Sequence, residues 1–235
     1  MLDINLNTRL EEIVNENSEM TTFFNEKRID FCCHGYMTVS EAAEESSLEE
    51  EKLLSEIRKA FSELDKDKED GEDIALDRFK ERSTKKMIDS VIDFHHTLER
   101  KLLASIDPLL NKILLVHFEN HGEELLELHR LFGNLKTELE EHFLIEEAVT
   151  FPLMLNNPKP NRAIMDRIET LEAEHEQAGE LIKAMIDVTD DFNVPEDACP
   201  TFKKTYRDLD RLIKDVFLHI FKENSIIFPK CRKEV

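Results

Sequence analysis

From residue 79 onward the apolar positions recur in alternating steps of three and four, the spacing of one buried face of an α-helix. Leu125, Leu128, Phe132, Leu135 and Leu139 lead into His142, Glu146 and Val149, and Leu209, Leu212 and Val216 lead into His219, Glu223 and Ile226. A third stripe runs Ile168, Leu171, His175, Ala178, Ile182 and Met185. These stripes predict helices near 79–105, 122–149, 161–188 and 201–227, with the loops NNPKPN (156–161) and DDFNVPEDACP (190–200) between the later ones. Pro108 is expected to interrupt or kink the chain after the first. Upstream, shorter helices are expected near 8–16, 19–29, 39–45 and 48–64. Three sites there have the capping-box form, Thr8-x-x-Glu11, Thr38-x-x-Glu41 and Ser47-x-x-Glu50, in which hydroxyl and carboxylate each satisfy an orphan amide. The run DKDKEDGED (65–73) has no apolar face to bury and reads as a linker. The expected organisation is all-α: a small helical domain over 1–65, a charged linker over 66–78 and an antiparallel four-helix bundle over 79–235.

Composition agrees with a helical chain. Five Gly, two Tyr and no Trp in 235 residues leave little for turns and strands. With 31 basic against 52 acidic side chains the formal charge is −21, which opposes nucleic acid and anionic membrane surfaces and favours cations. No apolar run reaches transmembrane length. The opening MLDINLNTRLEEIV has neither a basic nor an apolar export region, so a cytoplasmic protein is expected. Four Cys then read as free thiols or ligands.

What changes this picture is the polar residues inside the stripes. HFLIEEAVTFP (142–152) and HIFKENSIIFP (219–229) are two copies of one motif, a His, a Glu four residues on, then Phe-Pro. Residues i and i+4 stack on one helix face, so each copy sets an imidazole beside a carboxylate where Leu is expected. A buried carboxylate needs a cation against it. His175 occupies a core position on the third helix. On the first, Ile88, Val91, Leu98 and Leu102 centre on His95 while Ile92 and Leu103 favour His96, so periodicity leaves one of the two to point inward. His96 and His142 are 46 residues apart and His175 and His219 are 44, as expected of two helical hairpins forming one bundle. Four His and two Glu suit iron, manganese or zinc. Carboxylates can bridge two ions about 3.5–4 Å apart, leaving room for a bridging oxide or water, and iron makes the best use of an open position. A lone His on an apolar face is more often a hydrogen-bonded core residue, which is the reading for His117, His121 and His129. Between the short helices near 19–29 and 39–45 lies FCCHGY, whose adjacent Cys32 and Cys33 read either as packed thiols in a turn or as an exposed pair for metal, nitrosyl or electrons.

The duplicated H…HxxxE pattern resembles the hemerythrin-type HHE cation-binding domain. With the preceding Cys32-Cys33 domain and the context LEAEHEQAGE (171–180), the whole chain resembles the iron-sulfur cluster repair di-iron proteins. That resemblance implies a di-iron centre, two non-haem Fe ions held by His96, His142, Glu146, His175, His219 and Glu223, with Glu146 and Glu223 bridging. It implies repair of iron-sulfur proteins damaged by oxidative and nitrosative stress, with NO or O₂ as small ligands, and a homodimer. Cys32 and Cys33 would be redox or metal-transfer thiols, although the family has Cys-Cys-Gly-Gly where this chain has Cys32-Cys33-His34-Gly35. Two other readings stay open: an O₂ carrier or sensor, against which the four-His set counts, and a structural metal module.

Overall fold

The computed structural model describes residues 2–63, 76–157, 159 and 161–233. The charged run 65–73 lies outside them, and of the expected linker only 76–78 are described. Among the described residues the secondary structure is helical, with one isolated antiparallel bridge between Arg9 and Thr38. By contact the chain divides into two compact units, one running to Met87 and including Phe217–Lys230, the other comprising Ile88–Val216 and the residues from Cys231.

The first unit opens with α1 (Leu10–Glu16), α2 (Met20–Glu26), α3 (Val39–Glu45) and α4 (Glu50–Glu63). α4 lies against α2 and α3. Of the three expected capping boxes, the one at Thr38 forms as expected: Glu41 N–H donates to Thr38 Oγ1 at 3.2 Å and Thr38 N–H to Glu41 Oε2 at 2.8 Å. The first is displaced by one residue. Arg9 N–H donates to Glu12 Oε2 at 3.2 Å, because Thr8 Oγ1 instead accepts from Asn5 N–H at 2.9 Å. At the third, Ser47 closes α3 in the left-handed region (φ 54°) and Glu50 takes the Ser40 hydroxyl at 2.6 Å.

α5 (Leu76–Lys80) and α6 (Thr84–Ser90) follow, and Lys80 Nζ donates to Asn15 O at 2.6 Å. Within this unit Phe31 packs against Phe24 and against Phe217 and Phe221 of the last helix, with ring centroids 5.9, 6.5 and 5.7 Å away. Lys222, fully buried, sets its ammonium 4.9 Å from the centre of the Phe79 ring.

The second unit is built on α7 (Thr97–Val116), α8 (Phe118–Ile145) and α10 (Arg162–Val188), with α8 packed against both others. Pro108 does not end the first long helix, which continues to Val116. Pro108 and Ala104, whose carbonyl loses its partner, both lie on the exposed side, where water can serve that carbonyl. The backbone break falls at His121 (φ −131°, ψ 18°). Leu125, Leu128, Phe132, Leu135 and Leu139 are buried, as are Ile168, Leu171, Ala178, Ile182 and Met185. The last long helix, α11 (Pro200–Lys222), carries the buried Leu209, Leu212 and Val216.

Among the described residues three stretches form a π-helical turn: Val91–His96, Glu146–Thr150 and Glu223–Ile227. The second leads into α9 (Phe151–Asn156) and the third into α12 (Phe228–Lys233). Each accommodates one extra residue and slips the inward face by one position. After Glu146 the inward residue is Thr150, whereas Val149, expected inside, is 50 % exposed. No described helix is long and apolar enough to cross a membrane.

Candidate metal centre

The π turns fall on the polar residues of the stripes. The turn over Val91–His96 resolves the conflict between His95 and His96 differently from the expected choice: both rings are fully buried. Each has its own carboxylate. His95 Nδ1 faces Asp215 Oδ2 at 3.1 Å, and His96 Nδ1 faces Glu147 Oε1 at 2.7 Å. An ionised carboxylate only accepts, so Nδ1 carries the proton and Nε2 keeps its lone pair.

The Nε2 atoms and carboxylate oxygens converge. His96 Nε2 lies 3.2 Å from Glu146 Oε2, and His142 Nε2 lies 3.3 Å from the same oxygen. His175 Nε2 stands 3.2 Å from His142 Nε2, and His219 Nε2 stands 3.3 Å from Glu223 Oε1. His142 donates through Nδ1 to Glu174 Oε2 at 2.8 Å, a bond that holds the Glu174 carboxyl below its ordinary range despite partial burial. Where the His96 and His142 lone pairs face Glu146 Oε2, acceptor meets acceptor, and a proton or a metal cation is required between them. Two donors bound at about 2.1 Å to one ion, subtending 90–110°, stand roughly 3.0–3.4 Å apart. The observed separations fall in that interval.

Two groups of buried side chains each offer ligand atoms within 4.8 Å of one another: His96, Glu146, His219 and Glu223, and His142, Glu146, His175 and Glu223. Glu146 and Glu223 occur in both. All six residues named from the sequence are thus brought into these groups. A third group, His95, Glu99 and Asp215, contains the fully buried Glu99, which no apolar stripe signals. Glu147 and Glu174 carry no signal in the sequence either. They sit beside Glu146 and His175 in the chain, about 100° round the helix, where periodicity is silent.

His117, His121 and His129 are half-buried instead of core residues. His121 Nε2 pairs with Asp197 Oδ1 at 2.9 Å and His129 Nε2 with Asn111 Oδ1 at 3.2 Å.

The Cys-Cys turn belongs to the first unit. Asp30 Oδ1 accepts from the N–H groups of Cys32 and Cys33 at 3.1 and 2.9 Å, and Oδ2 pairs with His34 Nδ1 at 3.0 Å. Burial acts to raise the Asp30 carboxyl, but the hydrogen bonds from His34, Cys33 and Cys32 outweigh it and leave it below its usual range. Cys32 is buried and its thiol is pushed up by burial, by the hydrogen bond to Cys33 and by the Asp30 charge. Cys33 is more accessible, and the two sulfurs are 3.8 Å apart and unbonded. Asp30, Cys32 and Cys33 form a further group that could hold an ion. The turn rests on the last helix at its π turn, where Asn224 Nδ2 donates to Cys32 O at 3.2 Å. Glycine is needed at position 35, since a Cβ there would stand 2.8 Å from Phe31 O.

An all-helical chain with buried imidazoles and carboxylates at ligand spacing has the framework of a cation-binding helical bundle. Residues 87–231 match the Hemerythrin HHE cation binding domain, and residues 6–60 match a Domain of Unknown function (DUF542). A probable iron-sulfur cluster repair protein of Haemophilus influenzae is 28% identical over 96% of this chain and 97% of its own. The iron-sulfur cluster repair proteins YtfE of Escherichia coli and of an Enterobacter species are 29% and 30% identical, covering 90% of both chains in the first case and 94% and 95% in the second. The chain belongs to the hemerythrin HHE cation-binding family and, along nearly its full length, to the iron-sulfur cluster repair proteins.

Proposed function

We propose that the bundle holds two non-haem iron ions and that the protein repairs iron-sulfur clusters damaged by oxidative and nitrosative stress. The observation that carries the metal reading is the pair of His/Glu groups sharing Glu146 and Glu223. The repair reading rests on relatives that bear that name and align over nearly all of this chain. In this reading His96 and His219 would hold one ion and His142 and His175 the other, with Glu146 and Glu223 available to both. Four imidazoles and two carboxylates suit iron better than a soft-metal site would.

When loaded, the centre supplies iron for donation and a metal able to take NO or O₂. The chain's own residues orient and enclose it. Glu147 and Glu174 fix the Nδ1 protons of His96 and His142, so that both Nε2 atoms face the ligand cluster. Cys32 and Cys33, with Asp30, are the transfer or redox thiols of this reading, seated beside the residue that follows Glu223. Four free cysteines suit a reducing compartment, the cytoplasm. A homodimer is the expected assembly.

The test adds iron-loaded protein to an iron-sulfur protein whose cluster has been destroyed with NO. Recovery of the client's cluster absorption is expected, with none from Glu146→Ala/Glu223→Ala. A Cys32→Ser/Cys33→Ser variant should keep its iron and lose most of the recovery. Equal recovery from free iron and loaded protein would remove the repair reading.

A further inference from the structure

The two copies of the repeat differ at the residue after the shared carboxylate. In HFLIEEAVTFP it is Glu147, and in HIFKENSIIFP it is Asn224. Asn224 is engaged with the Cys32 carbonyl. Glu147 has another task. One of its oxygens, Oε1, accepts from His96 Nδ1 at 2.7 Å and from Arg100 at 2.7 Å. Arg100 lies one helical turn beyond His96, and its guanidinium carbon sits 5.1 Å from the Phe143 ring centre. Phe143 in turn stacks on His96, with centroids 4.5 Å apart and planes at 26°. His96 is therefore fixed on its face by Phe143 and at its outer nitrogen by Glu147, while Arg100 fixes Glu147.

The π turn over Val91–His96 buries two adjacent histidines, each with a carboxylate at Nδ1, Asp215 for His95 and Glu147 for His96. Of the two, His96 turns its Nε2 to Glu146 Oε2 at 3.2 Å. We propose that Glu147, held by Arg100, is the positioning residue of His96: it keeps the proton on Nδ1 and aims Nε2 at Glu146. The proposal rests on the two-ion reading. A carboxylate behind a ligating imidazole orients the ring and makes it a stronger donor, and loss of such a partner costs about ten- to a hundred-fold in metal affinity. The effect belongs to the ion served by His96 and His219, since His142 has its own carboxylate in Glu174.

The experiment pairs two readouts on wild type, Glu147→Ala, Glu147→Gln and Arg100→Ala. Ferrous iron is titrated anaerobically against a chelator, and the His96 ring nitrogens are observed by 15N NMR in metal-free protein. In Glu147→Ala one of two binding steps should weaken by about ten- to a hundred-fold, and the His96 ring should lose its Nδ1–H preference. Glu147→Gln keeps an acceptor without the charge and should retain the tautomer with a smaller loss of affinity. Arg100→Ala should fall between Gln and wild type. A Glu147→Ala protein that binds both ions as wild type does, or keeps the tautomer unchanged, overturns the inference alone. A wild-type chain that takes up no iron sinks the two-ion reading and the inference together.

Discussion

A histidine that gives its Nδ1 proton to a carboxylate has its other nitrogen committed to lone-pair chemistry, and His96 and His142 are both set in this way. Where that lone pair meets Glu146 Oε2, a cation relieves the contact. Residue chemistry of a different kind appears at Cys199. A hydrogen-bonding interaction with the His117 side chain, followed by the N–H groups of Phe202 and Thr201, brings its thiol down from 9.0 to about 7. Because the shift is downward, the thiolate is populated above about pH 7 instead of only near pH 9. Alkylation of the metal-free protein, followed by mass spectrometry, should label Cys199 with a rate midpoint near pH 7, and Cys32 slowest of all, since its thiol is buried and raised. His117→Ala should move the Cys199 midpoint upward. An unchanged midpoint in that variant would assign the activation to the backbone alone.

At the scale of elements, the four long stripes and the buried positions of His142, Glu146, His175, His219 and Glu223 were legible because α-periodicity marks an inward face whatever side chain occupies it. The π turns were not. An extra residue in a helix looks in the sequence like a one-place slip, and only packing shows whether Val149 or Thr150 turns inward. The same slip is why both His95 and His96 are buried. Caps were partly legible: Thr38 behaves as its motif says, while Thr8 and Ser47 are claimed by turn hydrogen bonds that a motif does not register. Two glycines give opposite predictions. Gly133 is exposed within α8, and a Cβ added there would meet nothing within 4 Å, so Gly133→Ala should stabilise by about 0.5–1 kcal/mol. Gly35→Ala forces a carbon to 2.8 Å from Phe31 O and should destabilise the first unit while displacing the Cys-Cys turn. Urea unfolding of both variants, followed by circular dichroism, checks the two signs.

For the whole molecule, the six buried His and Glu side chains proposed as ligands would make stability depend on what they hold. Ligands that bind only the folded chain stabilise it in proportion to the logarithm of their concentration over the dissociation constant. Chelation should therefore lower the melting temperature of the wild type, and leave that of Glu146→Ala/Glu223→Ala nearly unmoved. The net charge of −21 adds self-repulsion that bound cations would partly offset. The most direct test of the central claim is the metal content and absorption spectrum of protein purified in air, measured beside that double variant. About two irons per chain, with ligand-to-metal charge-transfer bands that disappear in the variant, is the predicted result. Zinc in the wild type, or equal iron in both proteins, would contradict it.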